Sequence, residues 1–137
     1  MQRLKSRPQF QAVLAGSILA RTSHFALHRV ALSARRDSDA CQTLFAVDDV
    51  WLGAMVPKRW ARRAVTRNII KRQVYTVTQE FESSLSHAAH VVRLRSGFDR
   101  QHFVSATSDA LKAAVRAELQ QLFAMAAKRP MLRLEQA

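Results

Sequence analysis

The sequence predicts a single α+β domain, a two-layer α/β sandwich in which a small sheet is covered by helices in the order α-β-β-α-β-α. The chain has 137 residues and 48% of them are hydrophobic, which is enough for one core. Two long segments repeat apolar residues at helical spacing, while shorter segments between them have the length and patterning of strands. These observations favour a small sheet packed against helices.

The first helix is predicted from its start and stop signals. Ser6 stands at the N-cap, Pro8 early in the first turn and Gln9 at the third helical position, which together form a capping box. Gly16 is a good residue for the end of the helix. The apolar residues that follow the cap at helical spacing are Phe10, Val13 and Leu14. A helix of about two turns must lie on another element to be stable.

Three strands are predicted, over residues 19–32, 50–56 and 89–95. In the first, alternation places Phe25, Leu27 and Ala31 on one face and His28 and Val30 on the other. Residues 33–43 are polar and acidic and are interpreted as a loop. Residues 44–47 fit either a short strand or a packed loop segment.

The long basic helix is predicted over residues 61–85, after Pro57. At 100° per residue its apolar arc is formed by Ile70, Val74, Val77 and Phe81. The neighbouring arc carries Arg67, Asn68, Lys71 and Arg72. A last helix is expected after a cap at Ser105 or Ser108, with a core-facing stripe of Leu111, Val115, Leu119 and Leu122. Residues 1–126 are predicted to form one RNA-binding domain, and residues 127–137 a flexible tail.

Charge is the strongest global feature of the chain. The net charge is +12, and the cations are segregated from the acids: residues 1–36 and 50–79 each carry seven cations and no acid. A segregated pattern favours a specific basic face that meets a polyanion. The stretch from Lys58 to Arg72 therefore predicts a helix that grips a phosphate backbone.

Several other classes of site find little support. The single Cys41 excludes an internal disulfide and is typical of a reducing compartment. With no secretory signal and no transmembrane run, a cytoplasmic protein is expected. His87 and His90 lack a third metal ligand, and Asp49 has no histidine near it in sequence, so neither a metal site nor a catalytic centre in the protein is predicted.

Several motifs carry a family resemblance that spans roughly residues 3–123. The cationic connection Lys58-Arg59 and Arg62-Arg63 is followed by Arg67-Asn68, then by Lys71-Arg72. The basic arm before the first helix, the segment around His28 and the pair Leu52-Gly53 also match in order. In this arrangement the chain resembles the protein subunit of bacterial ribonuclease P. It departs from that family's pattern at Ile69, usually Arg, and at Leu14 and His28, where aromatic residues are expected.

The resemblance implies a fold and a function. The expected fold contains a left-handed βαβ crossover and is similar to the second domain of a small-subunit ribosomal protein. The implied activity is that of an endoribonuclease subunit, which assists removal of the 5′-leader of precursor tRNA. The catalytic centre, with its Mg²⁺ ions, is expected in a catalytic RNA subunit, and no cofactor is expected on the protein alone. The implied partners are ribonuclease P RNA, with one protein per RNA, and precursor tRNA, without a membrane.

Two sets of site residues follow. The expected RNA-binding residues are Arg3, Lys5, Lys58, Arg59, Arg62, Arg63, Arg67, Asn68, Lys71 and Arg72. The expected residues of a cleft for the leader are Phe10, Leu14, Phe25, His28, Arg29, Arg93 and Arg95. Aromatic rings there would stack on bases and arginines would bind phosphates. Whether Phe10 and Phe25 line the cleft or belong to the core stays open.

Two alternative functions also stay open. A ribosomal-type RNA-binding protein without a role in cleavage would share the size and charge of this chain. A DNA-binding helix in the major groove is a second alternative, although the basic helix lacks the short preceding helix and turn of that motif.

Overall fold

The computed structural model describes residues 1–32, 49–85, 87–97 and 109–128. The strands are β1 (Gln2–Arg3), β2 (Ser17–Arg21), β3 (Phe25–Ala31), β4 (Trp51–Met55) and β5 (Ala88–Leu94). The helices are α1 (Arg7–Leu14), α2 (Ala64–Phe81) and α3 (Asp109–Ala127), and a 3₁₀ turn, Glu82–Ser84, follows α2. The predicted loop and segment at 33–47 and most of the predicted tail lie outside the described residues. So do the residues predicted to cap α3.

The described strands form one sheet in the order β1-β4-β5-β3-β2. β4 and β5 are parallel neighbours joined through α2, so the predicted βαβ unit is present. Its handedness stays a prediction. β5 is also antiparallel to β3, which is in turn antiparallel to β2. The α+β class and the covering of the sheet by helices are confirmed.

The predicted element order was incomplete at the N-terminal end. Residues 19–32 form two strands rather than one, because the chain turns at Thr22 and returns as β3. The Thr22 amide closes this turn by donating to the Phe25 carbonyl at 2.8 Å. A further short strand, β1, pairs with β4 in parallel. Neither turn nor strand carries a strong local signal.

Each face of the sheet has its own hydrophobic cluster. Helices α2 and α3 pack together on one face, over Phe25, Leu27 and Leu52. Helix α1 contacts β3 and β5 on the other face, where Val13 and Val91 are fully buried. We call these the helix-covered face and the α1 face.

The capping box predicted for α1 is present. Ser6 Oγ accepts from the Gln9 amide, and Gln9 Oε1 accepts from the Ser6 amide at 3.1 Å. The predicted apolar arc of the basic helix is also confirmed, because Ile70, Val74 and Val77 are buried. In the part of the chain that the structure describes, no helix is long and apolar enough to cross a membrane.

Candidate nucleic-acid interface

The connection from β4 to α2 is a tight turn that leaves its cations outside. The Pro57 carbonyl accepts from the amides of Trp60 and Ala61, both at 3.1 Å, and Ala61 is buried beneath the turn. The exposed cations of this connection are Lys58, Arg59, Arg62 and Arg63. A buried residue therefore anchors the turn while its charged neighbours face solvent.

Arg67 holds this connection to the first turn of α2. Its Nη1 donates to the Ala61 carbonyl at 3.0 Å and to the Arg62 carbonyl at 2.8 Å, and the side chain is half-buried. The helix begins without a side-chain cap at Arg63. Arg67 therefore has a structural role, which its position in a row of cations did not predict.

The next residues of the row are exposed on α2. We call these residues and the exposed cations of the connection the basic face: Lys58, Arg59, Arg62, Arg63, Asn68, Lys71 and Arg72. Among the residues that the structure describes, none of its cations lies in an ion pair. Because no acid in the described part of the chain neutralises them, these cations are available to phosphates. Ile69, within the row, is half-buried.

Arg3 lies beside the same helix. Its guanidinium carbon is 4.1 Å from the centre of the Tyr75 ring on α2, so a cation–π contact fixes the exposed side chain there. Lys5 is also exposed, but its backbone amide donates to Gln9 Oε1 at 2.7 Å, in the cap of α1. The structure brings Arg3 to α2 and places Lys5 at the start of α1.

The α1 face has a close contact that sets the height of α1 over the sheet. Gly53 lies under Phe10, and a Cβ added at Gly53 would come within 2.5 Å of Phe10 Cε1 and 2.8 Å of Leu4 Cδ1. Leu14 is partly buried in the same cluster. Phe10 and Leu14 therefore lie on this face, partly covered by packing, and their place in a leader cleft stays a prediction.

Beyond α1 the same face carries a histidine with two arginines. Arg93 Nε donates to His28 Nε2 at 3.3 Å, which fixes His28 as an acceptor there. Arg21 pairs with Ala26, which in turn pairs with Arg93, so the two arginines share one face across three strands. Burial, and then the charges of Arg93 and Arg21, lower the pKa of His28. His28 is therefore neutral at neutral pH, and the two guanidiniums supply the charge.

Two predicted cleft residues lie elsewhere. Phe25 is fully buried in the cluster under α2 and α3, which contradicts its placement in the cleft. Arg29 is 7% exposed and is in phase with Phe25 and Leu27, so strand alternation puts it on the helix-covered face as well. Both residues lie outside the predicted cleft because α1 covers the opposite face of β3.

Arg95 is exposed at the end of β5 and braces the β2–β3 turn. Its Nη1 donates to the Thr22 carbonyl at 2.7 Å. Glu118 of α3 holds the same turn: its Oε2 accepts from the Thr22 hydroxyl and the His24 amide, both at 2.7 Å, and its Oε1 lies 2.7 Å from His24 Nδ1. These contacts position β2, and with it Arg21.

Sequence reasoning missed Arg21 as a candidate. The pairing of β2 with β3 places it on the same face as Arg93, with β3 between them, and a single extended strand over residues 19–32 could not do so. The missed signal is the polar run at Thr22, Ser23 and His24, which interrupts the alternation.

Comparisons with known proteins identify the family of the chain. A family model described as Ribonuclease P matches residues 1–125. The ribonuclease P protein component of Ralstonia pickettii is 32% identical over 126 residues, covering 92% of this chain and 79% of that protein. The protein of the same name from a Nostoc species is 36% identical over 86 residues, covering 57% of this chain and 61% of that protein.

Solved structures show the same fold. The RNase P protein of Staphylococcus aureus superposes with a TM-score of 0.65 at 18% identity, covering 92% of this chain and 95% of that one. A second structure of the protein from the same organism gives a TM-score of 0.62 at 19% identity, covering 96% and 94%.

Proposed function

Because its residues 1–125 match the family model, the chain belongs to the Ribonuclease P family, and we propose that it is the protein component of a ribonuclease P holoenzyme. In this role it binds a catalytic RNA subunit and the 5′-leader of precursor tRNA and assists endonucleolytic removal of that leader. The observation that carries the proposal is the basic face, an exposed row of cations on α2 and its connection that no acid among the described residues neutralises.

We assign the basic face to the RNA subunit. Arginine predominates in it, and a guanidinium can bind a phosphate through two hydrogen bonds. The hydrogen bonds from Arg67 to the Ala61 and Arg62 carbonyls hold the connection against the first turn of α2. Arg3, held on Tyr75, extends the surface towards the sheet edge.

We assign the open part of the α1 face to the leader. Arg21 and Arg93 offer two positive charges, and among the described residues neither has an acidic partner. Phe10 and Leu14 supply partly buried apolar side chains on the same face of the sheet. A surface that combines cations with apolar side chains suits a single strand, whose bases are not paired.

The chemical step is assigned to the RNA subunit. Among the described residues, no three His, Cys, Asp or Glu side chains come together in a group that could hold a metal ion. We therefore place the Mg²⁺ ions, which activate water and stabilise charge at the cleaved phosphate, within the RNA. The protein's own residues bind and orient the substrate. We also propose one protein per RNA and a cytoplasmic location.

The direct test is cleavage of a precursor tRNA by ribonuclease P RNA at low magnesium, with and without the protein. We expect the protein to restore cleavage at the leader junction and to increase the affinity for precursor over mature tRNA. If RNA from the same organism is bound tightly but cleavage and leader preference do not change, the chain is a plain RNA-binding protein of the ribosomal type.

A further inference from the structure

Trp60 is an aromatic residue left exposed in the middle of the basic face. It keeps 37% of its surface exposed, whereas Trp51, under α1, keeps 9%. Exposing a tryptophan forgoes the free energy gained on burial of a large apolar side chain. Single exposed apolar side chains are common, but an exposed tryptophan among cations is a candidate contact for a partner.

The backbone of Trp60 is fixed, so the ring is presented from a rigid support. Its amide donates to the Pro57 carbonyl at 3.1 Å, inside the turn. Gly97, three residues beyond β5, lies close behind, because a Cβ added there would come 3.0 Å from the Trp60 carbonyl oxygen. A support of this kind reduces the entropy lost when the ring binds a partner.

The surroundings of the ring select the partner. The guanidinium carbon of Arg59 is 5.2 Å from the centre of the Trp60 ring, and Lys58 and Arg62 are exposed nearby along the chain. An apolar protein partner would remove water from these cations without supplying an opposite charge, which costs free energy. A nucleic-acid strand brings phosphates for the cations and a flat base for the indole, so it satisfies both parts of the surface.

We propose that Trp60 stacks on an unpaired base of the RNA subunit, next to the phosphates that the basic face holds. This inference rests on the proposed function and specifies it further, because it requires an unpaired nucleotide at this contact rather than a continuous duplex. In a duplex the base faces are stacked on each other and cannot reach an aromatic side chain.

Binding measurements on the reconstituted holoenzyme test the proposal. Trp60→Ala should weaken binding of the ribonuclease P RNA by about 5- to 150-fold, the range expected for one base stacked on an aromatic ring. Because stacking releases no counterions, the slope of log affinity against log salt should stay unchanged. Trp60→Phe should retain most of the affinity.

Lys58→Ala is the matched comparison within the same turn. It should weaken binding together with a drop of about one unit in the salt slope, the signature of a lost phosphate contact. Should Trp60→Ala also lower the slope, the residue acts by holding the cations, and the stacking proposal is wrong. Equal affinity of Trp60→Ala and wild type would overturn it as well.

Fluorescence gives an independent readout. The difference in emission between wild type and Trp60→Phe isolates Trp60, because Trp51 is present in both proteins. Acrylamide, which is neutral, should quench this emission in the free protein and much less in the RNA complex. Unchanged quenching on binding would contradict the proposal. Failure of the wild-type protein to bind the RNA would instead refute the proposed function itself.

Discussion

His90 is expected to make the stability of the fold depend on pH between pH 7 and 5. It is fully buried on β5, Nδ1 donates to the Trp51 carbonyl at 3.2 Å, and Nε2 has no partner among the described residues. Burial, reinforced by the charge of Arg29, lowers its pKa from 6.5 to about 4, although the Trp51 carbonyl acts in the opposite direction. Protonation therefore favours the unfolded chain.

The size of the effect follows from that pKa difference. Above pH 6.5 both the folded and unfolded states hold His90 neutral, and the stability is fully present. As the pH falls below 6.5, His90 is protonated in the unfolded state but stays neutral in the folded state until the pH reaches about 4. Linkage then gives a loss of about 2 kcal/mol in the free energy of unfolding between pH 7 and pH 5.

The assay is urea denaturation of wild type and His90→Gln at pH 7, 6 and 5. The variant should lose about 2 kcal/mol less than wild type over this range, whatever its stability at pH 7. Contributions from other titratable groups are common to both proteins and cancel in the difference. Parallel pH profiles would show that His90 takes up its proton in the folded state and would refute the reasoning.

Four further outcomes follow from the site. Lys71→Ala should lower the salt slope of RNA binding by about one unit, and an unchanged slope would remove it from the phosphate contacts. Arg67→Ala should also lower the free energy of unfolding, by about 1–2 kcal/mol, because two hydrogen bonds to carbonyls are lost; melting of the RNA-free protein checks this. Gly53→Ala should lower the free energy of unfolding by about 1–3 kcal/mol, because the new methyl group displaces Phe10 from the sheet. It should also weaken binding of precursor tRNA more than binding of the RNA subunit. His28→Leu should reduce the preference for precursor over mature tRNA as much as Arg93→Ala does. His28→Gln should retain that preference, because its side chain can still accept a hydrogen bond from Arg93. Additive losses in the double variant would show that His28 does not act through Arg93.

Local patterns predicted the elements whose signals are local. The capping box at Ser6 and the apolar arc with Ile70 and Val74 depend on residues within a few turns, and both are present. Alternation also sorted β3 correctly, with Leu27 and Val30 on opposite faces. What it could not supply was the face on which α1 would lie, and Phe25 and Arg29 were misplaced for that reason.

The missed features depend on contacts between distant parts of the chain. The β2–β3 turn has no Gly, Pro or Asn, and it is held by Glu118, 94 residues after His24. β1 has only two residues and exists through its pairing with β4. The role of Arg67 depends on where the preceding turn places two carbonyl oxygens. Spacing along the sequence carries no information about such contacts.

The position of β5 in the sheet has a consequence for synthesis of the chain. β5 lies between β4 and β3 and joins two strand pairs, β1–β4 and β2–β3, that are not otherwise adjacent. It is also the last of the described strands to leave the ribosome. We therefore expect the earlier strands of the nascent chain to remain unassembled into the sheet, with apolar surface uncovered, until Ala88–Leu94 emerges. Folding of this protein is thus timed by its central strand rather than by its N-terminus.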